Sequence, residues 1–290
     1  MGISSFCFFG LKNRVRIFFY EKSENLENYY DNISLSSKNY KNTLIQTTEQ
    51  KYYALYQKLN FNQTLFVFHF LNFLDSFPLN MFKNNQIIGL GNFPIGKKIN
   101  PHYFGDFKPK IKNKVTKFFI TSTIFRNYTL LIIAAKQLKK EKKSFHVIVV
   151  GKIKTFSSKD IPTKLINNFT FKYHISFYEL YKDVYNSDYI IINLDQNMKD
   201  DIQFNKTRVT GSAQLSYGFL KPVLINQHFS KFYDFNSSNS IIYNHSNFTK
   251  AMRDAVNMDT KNYKKLQENL SFLEKEIYLN SLINLKHCIN

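Results

Sequence analysis

Residues 210–226 have the sequence TGSAQLSYGFLKPVLIN, and this stretch decides the class of fold. Its pattern predicts a turn, a short helix that opens on small polar residues, and a buried strand that begins at a proline. A helix start at residues 210–213 offers backbone N–H groups with little side-chain bulk, which suits a phosphate or diphosphate. Open α/β sheets hold nucleotides at such positions, late in a run of alternating strands and helices. The stretch therefore predicts a protein that handles nucleotides.

Strands and helices alternate regularly from residue 115 onward. Apolar, β-branched and aromatic runs predict six strands, at residues 115–125, 144–151, 170–175, 188–195, 222–226 and 239–243. Helices are predicted between them, and Ser176 with Glu179 forms the capping box of one. Such alternation, with nearly continuous apolar strands, predicts an α/β fold with a doubly wound parallel sheet of the Rossmann-like kind.

The first hundred residues have a weaker pattern. Strands are predicted at residues 14–20, 43–48 and 64–74, and a helix at 49–59, which would make a small α/β unit. Pro and Gly in residues 91–107 predict a linker. We therefore expect two domains: a shortened α/β N-terminal domain with its linker over residues 1–104, and the Rossmann-like domain with a C-terminal helix over residues 105–290.

The chain carries a formal net charge of +19, and only five of its 40 basic residues are arginines. Readers of nucleic-acid sequence favour arginine for its bidentate fork, so this balance argues against nucleic acid as the partner. A genome rich in A and T would also produce this excess of lysine, together with the many Asn, Ile, Tyr and Phe residues. A basic surface that faces anionic lipid is the other open explanation.

The two cysteines, Cys7 and Cys288, have no metal-binding spacing and form no disulfide framework. The apolar N-terminus lacks a preceding positive charge and a small-residue cleavage site, so it is a poor signal peptide. No apolar run has the length of a membrane span. We expect a cytoplasmic protein, and peripheral contact with the inner face of the membrane stays open.

Five segments carry a resemblance by their order and spacing: INPHYF, FITSTIFRNYTLLIIAAKQL, FHVIVVGK, YHISFYELYKDVYNSDYIIINLD and TRVTGSAQLSYGFLKPVLI. Together they resemble the donor-binding half of a GT-B glycosyltransferase of the retaining family-4 type. The segment FITSTIFRNYTLLIIAAKQL resembles the first strand and helix of that half, and FHVIVVGK its second strand. YHISFYELYKDVYNSDYIIINLD resembles the segment that leads to the fourth strand, and TRVTGSAQLSYGFLKPVLI the stretch that normally carries two glutamates before G-x-P-V. INPHYF resembles the linker into the domain. The resemblance covers about the last 60% of the chain.

The sequence departs from the family pattern at the glutamate pair. No carboxylate lies between Arg208 and Pro222, and Ser212 and Gln214 occupy the area of those glutamates. The usual Gly–Arg after the first strand is replaced by Thr123–Ile124. The catalytic residues therefore stay unknown from the sequence.

The resemblance implies a site for a nucleotide diphosphate sugar at the carboxyl edge of the sheet. Cations and helix N–H groups would hold the diphosphate, a strand end would hold the base, and an amide would contact the sugar. No metal and no cofactor are expected besides the donor substrate. The candidate binding residues are Arg126, Lys152, His174, Ile175, Arg208, Gly211, Ser212, Ala213 and Gln214.

The function that the resemblance implies is transfer of a hexose, with retention, from a nucleotide diphosphate sugar. The expected acceptor is a glycan or glycolipid of surface polysaccharide synthesis. Two alternatives stay open: a non-catalytic nucleotide-sugar-binding or partner module, which the missing glutamate pair favours, and an unrelated Rossmann-type nucleotide binder. The absence of G-x-G-x-x-G after the first strand counts against the last of these.

Overall fold

The computed structural model describes residues 43–45, 53–59, 61–68, 74–75, 77–78, 81–83, 86–91, 93–100, 108–122, 126–152 and 156–289. The chain forms two compact units. The first comprises Met1–Pro101, Thr207–Val209 and Ile277–Asn290, and the second His102–Lys206 and Thr210–Glu276. The predicted boundary between residues 104 and 105 and the predicted strand 14–20 lie outside the described residues, so both stay predictions.

The first unit contains a parallel sheet of four short strands in the order β1-β2-β3-β4. Their bounds, with that of a short helix α1, are β1 Thr43–Ile45, α1 Tyr53–Lys58, β2 Thr64–Phe68, β3 Ile87–Gly89 and β4 Lys97–Lys98. The strand β4 lies in the stretch predicted as a linker, and β3 was not predicted.

Strand β2 is buried on both faces. Phe66 and Phe68 pack with Tyr56 of α1 in one apolar cluster, while Leu65 and Val67 belong to a second cluster. This division follows from the alternation of side chains along a strand. A short strand whose side chains are all buried fits the centre of a parallel sheet.

The second unit holds six parallel strands in the order β7-β6-β5-β8-β9-β10. The six predicted strands are confirmed as shorter strands, and β7 also begins one residue before its predicted start. The bounds are β5 Thr116–Ser122, β6 Phe145–Gly151, β7 Phe169–Tyr173, β8 Tyr189–Ile192, β9 Val223–Asn226 and β10 Ile241–Tyr243. In chain order this is the 3-2-1-4-5-6 arrangement of a Rossmann-like sheet. The strand order reverses between β5 and β8, and ligands of such sheets bind outside the carboxyl ends of the strands at that point.

Helices cover the sheet of the second unit. Their bounds are α2 Thr129–Lys140, α3 Phe177–Asn186, α4 Lys199–Ile202, α5 Gly211–Phe219, α6 Gln227–Ser230, α7 Phe248–Asn257 and α8 Thr260–Ile289. Buried side chains of α2 and α7, including Leu131, Leu138 and Met252, pack in one core with Phe118 and Val147 of the sheet. These helices therefore form one of the layers around the strands.

The capping box predicted at Ser176 begins α3. The Ser176 hydroxyl accepts a hydrogen bond from the Glu179 N–H at 3.2 Å, and the Glu179 carboxylate accepts from the Ser176 N–H at 2.9 Å. The Ser176 N–H and the Ser176 hydroxyl, which both donate to the Glu179 carboxylate, hold the pKa of Glu179 below its usual range. The box fixes the point where the chain leaves β7 and turns into α3.

Helix α8 is shared between the units, because Thr260–Glu276 belongs to the second unit and the remainder to the first. Its residues Leu285 and Cys288 are buried with Leu65, Val67 and Ile88 of the first unit. In the part of the chain that the structure describes, no helix is both long and apolar enough to cross a membrane.

Candidate functional site

The ends of β5, β6 and β7 place several predicted site residues along one edge of the sheet. Ser122 is in register with Gly151, and Gly151 with Tyr173, and these are the last residues of the three strands. Lys152 and His174 are the next residues of the chain after β6 and β7. Because neighbouring strands are about 4.8 Å apart, these two residues begin adjacent loops. The structure thus brings them to the carboxyl edge that the sequence predicted.

The N-terminus of α5 lies at the same edge, beside β5. The Ser212 hydroxyl oxygen is 2.9 Å from the hydroxyl oxygen of Thr121, the penultimate residue of β5. Thr210 caps the helix: its side chain accepts from the Ser212 N–H over 3.4 Å, and its carbonyl accepts from the Ala213 N–H at 3.2 Å. The first of these contacts is long for a hydrogen bond, so a ligand oxygen could replace the Thr210 hydroxyl.

Gly211, the first residue of α5, faces open space. It is exposed, and a Cβ atom built on it meets no atom within 4 Å. Ser212 and Ala213 are buried behind it, and Gln214 is half-buried. The first residue of the helix is therefore exposed to solvent and has no side chain, while the next two residues are buried in the protein. This geometry suits an anion that approaches the backbone closely.

Arg126 follows β5 and is buried, with 9% of its surface exposed. Its guanidinium forms an ion pair with Asp201, whose exposure is only 2%. The same guanidinium lies over the ring of Phe204, 4.7 Å from the ring centroid. A buried arginine of this kind holds its neighbours in place, and it does so at the point where the strand order reverses.

Asp201 and Phe204 belong to the residues 198–205, which we call the 198–205 segment. It contains α4 and the 3₁₀ turn Gln203–Asn205. The second carboxylate oxygen of Asp201 accepts the N–H of Asp195 at 2.9 Å, just after β8. The Tyr233 hydroxyl donates to the Phe204 carbonyl at 2.7 Å and accepts from the Thr210 N–H at 3.2 Å. Tyr233 thereby connects the segment with the cap of α5.

Amide groups join the ends of β5 and β8. The Asn193 side chain donates to the Asn127 carbonyl at 3.1 Å, and the Asn127 amide lies 3.4 Å from the carboxylate of Asp195. Asn127 also accepts from the N–H of Thr129, the first residue of α2. Asn127 thus contacts the start of this helix from the residue before its capping position, Tyr128. Within the described ranges, no three His, Cys, Asp or Glu side chains lie close enough together to hold a metal ion.

The remaining predicted residues differ in their surroundings. His174 is exposed and has a left-handed backbone with φ of 54°, which turns the chain sharply out of β7. Ile175 is half-buried and Lys152 is exposed. Arg208 belongs to the first unit, with Thr207–Val209. The structure therefore assigns Arg208 to the first unit and gathers the other candidate residues at one edge of the second unit. The binding roles of all these residues stay predictions.

Sequence reasoning missed the two residues that contact Arg126, namely Asp201 and Phe204. It also missed the residues that link the neighbouring strand ends, the 198–205 segment and the α5 cap, which are Thr121, Asn193, Asp195 and Tyr233. A usable signal existed for Asn193 and Asp195, because they lie at the carboxyl end of the predicted strand 188–195. Asp201 and Phe204 lie in a loop without apolar periodicity, and only the folded chain brings them to Arg126.

Solved glycosyltransferase structures are similar to this chain over most of its length. The Anabaena protein Alr3699/HepE, solved with UDP and glucose, has a TM-score of 0.54 and 11% identity, covering 89% of this chain and 80% of its own. A glycosyltransferase from Rickettsia africae has a TM-score of 0.51 and 15% identity, covering 94% and 82%. An alpha-glucosyltransferase solved with UDP has a TM-score of 0.51 and 10% identity, covering 87% and 73%.

These similarities confirm the predicted fold: the chain has the fold of GT-B glycosyltransferases, with a Rossmann-like parallel sheet. No model of a protein family matches the sequence. No curated protein matches it either. Because the identities lie far below 25%, the comparison concerns the fold, and the chemistry has to be argued from the site.

Proposed function

We propose that this protein is a glycosyltransferase that moves a hexose from a nucleotide diphosphate sugar to a glycan or glycolipid acceptor of surface polysaccharide synthesis. The observation that carries the proposal is the open N-terminus of α5 at Gly211, beside the carboxyl end of β5. A diphosphate at this position would meet the positive end of the helix dipole. The fold supports the proposal, because two similar structures were solved with UDP.

In this proposal the protein stabilises the leaving diphosphate by position and charge. The α5 backbone from Gly211 to Ala213 binds phosphate oxygens, and Lys152 adds a positive charge from the end of β6. His174 and Ile175 contact the base, and Gln214 contacts hydroxyl groups of the sugar. No metal is required in this scheme, and the transfer proceeds with retention of the anomeric configuration.

A second candidate function is a nucleotide-sugar-binding module without catalysis. The observation that favours it is the absence of any carboxylate between Arg208 and Pro222, where the resembling family carries its glutamate pair. Release of UDP from UDP-glucose, with a simple alkyl glycoside as acceptor, distinguishes the two. Binding of UDP-glucose without any release of UDP would identify the protein as a non-catalytic binding module.

A thermal unfolding titration with UDP, GDP and their glucose conjugates tests the donor site. A ligand at about a hundred times its dissociation constant adds roughly 2.7 kcal/mol of stability. We expect Gly211→Glu to abolish this shift, because the new carboxylate occupies the position of the phosphate. The variant should fold, since a Cβ at Gly211 meets nothing and an acidic residue suits the start of a helix.

Thr260→Glu is the matched control, because Thr260 is the exposed first residue of α8 and receives the same acidic side chain. It should keep the full ligand shift. A wild-type protein that none of the nucleotides stabilises contradicts the proposed function. A shift that survives in Gly211→Glu places the nucleotide elsewhere.

We further propose that the protein works in the cytoplasm, in peripheral contact with the inner face of the membrane. The net charge of +19, nearly all of it from lysine, supports attraction to anionic lipid. The protein should sediment with phosphatidylglycerol vesicles at low salt and be released at high salt, because exposed charges are screened. Equal sedimentation with phosphatidylcholine vesicles would contradict this.

A further inference from the structure

Asp201 neutralises the only buried arginine at the proposed phosphate edge, counting the residues that the structure describes. Arg126 and Asp201 are exposed to 9% and 2%, and their charged groups are in direct contact. Asp201 is further fixed by the N–H of Asp195. The pair as a whole carries no net charge, so Arg126 adds little long-range attraction for an anion while Asp201 holds it.

We propose that Asp201 is an internal counter-ion that competes with the phosphates of the donor for the guanidinium of Arg126. The inference rests on the proposed function, because it requires a diphosphate at the carboxyl end of β5. An incoming diphosphate meets both charges: it is attracted by Arg126 and repelled by Asp201. At short distances inside a protein these terms are large, so the carboxylate sets the affinity of the site for its anion.

The contacts of the 198–205 segment determine which parts of the protein move when the diphosphate replaces Asp201 as the partner of Arg126. Loss of the Arg126 pairing removes one attachment of the segment, at Asp201 and the ring of Phe204. The Phe204 carbonyl and the Thr210 N–H share the hydroxyl of Tyr233. A shift of the segment therefore reaches the cap of α5, where the proposed phosphate site begins, so that the two phosphate-binding features are coupled.

Asp201→Asn tests the competition, because the amide has nearly the same shape and can still accept the Asp195 N–H. We expect its dissociation constant for UDP to fall at least tenfold, while that for uridine, which has no phosphate, stays the same. If the wild type binds GDP more tightly than UDP, the same comparison is made with GDP and guanosine. Asp200→Asn is the matched control: it removes the same charge from the exposed neighbouring residue and should leave the affinity for UDP unchanged.

Equal or weaker binding of UDP by Asp201→Asn overturns the proposal, and so does an equal gain in Asp200→Asn, which would indicate a general effect of charge. If Asp201→Asn is unfolded without ligand, UDP has to restore its folding at concentrations that leave Arg126→Ala unfolded. Failure of that rescue also overturns the proposal. A wild type that binds no nucleotide is a different result, because it removes the proposed function itself.

Discussion

Arg126→Ala is expected to lower the free energy of unfolding by about 3–5 kcal/mol, the typical loss when one partner of a buried ion pair is removed. The reason is Asp201, whose carboxylate is left at 2% exposure without its cation. The packing of the guanidinium on Phe204 is lost as well. Urea unfolding of wild type and variant, followed by circular dichroism, measures the difference.

A double variant separates the unpaired charge from the lost packing. Arg126→Met combined with Asp201→Asn removes both charges, keeps an apolar side chain near Phe204 and keeps an acceptor for the Asp195 N–H. It should recover most of the stability, since buried ion pairs are often replaced by uncharged groups at little loss. Arg253→Ala, which breaks the half-exposed pair with Glu141, should have a far smaller effect. A small effect of Arg126→Ala, similar to that of Arg253→Ala, contradicts the prediction.

The expected loss of stability in Arg126→Ala limits what this variant can show about nucleotide binding. An Arg126→Ala protein that binds no UDP has lost either a phosphate contact or part of its fold, so the result is ambiguous. Gly211→Glu changes a residue around which the structure shows open space. It is therefore the sharper test of the phosphate site.

Lys221→Met is expected to make the protein more stable near pH 7 and to change how its stability depends on pH. Lys221 is 2% exposed, and its ammonium donates to the Tyr185 carbonyl at 2.8 Å. Burial, followed by repulsion from Lys110, lowers its pKa to about 7, against an opposing effect of Asp188. The charged form is therefore poorly accommodated in the folded protein.

The direction of the pH effect follows from proton binding. Between pH 7 and about 10.5 the unfolded chain holds a proton on Lys221 that the folded protein has released. Stability consequently rises with pH in this window, with a slope of up to about 1.4 kcal/mol per pH unit from this group. Below pH 7 both states are protonated, and the group contributes no slope.

Urea unfolding at a series of pH values between 6 and 10 checks this prediction. The stability gap between Lys221→Met and wild type should be largest at the acid end and close as the pH rises. Lys221→Gln keeps a donor for the Tyr185 carbonyl without a charge, so it should give the same pH dependence. The half-buried Lys112, whose pKa burial also lowers, is present in every variant and cancels from the comparison. Parallel profiles for wild type and both variants contradict the prediction.

The sequence was sufficient for the sheet of the second unit because its signals are local. Each strand from β5 to β10 is an apolar run, and the capping box at Ser176 lies within four consecutive residues. Alternation with helices then implies parallel strands and a carboxyl edge. Lys152 could be placed at that edge because it directly follows a predicted strand, and His174 because it lies at the carboxyl end of one.

The surroundings of Arg126 could not be predicted, because they depend on pairing between distant parts of the chain. Asp201 and Phe204 come from a short helix and a 3₁₀ turn that no periodic pattern marks. The strands β3 and β4 are three and two residues long, and hydrophobic periodicity needs more residues than that. The assignment of Arg208 to the first unit likewise results from tertiary contacts rather than from local sequence.

The shared helix α8 has a consequence for the order in which the protein can fold. The cluster around Val67 and Ile88 in the first unit is completed by Leu285 and Cys288. During synthesis from the N-terminus these two residues leave the ribosome long after β2 and β3. This cluster of the first unit, although most of its residues come early in the chain, therefore cannot be completed before the second unit has been made. Its exposed apolar face in that interval is a target for chaperones or for aggregation.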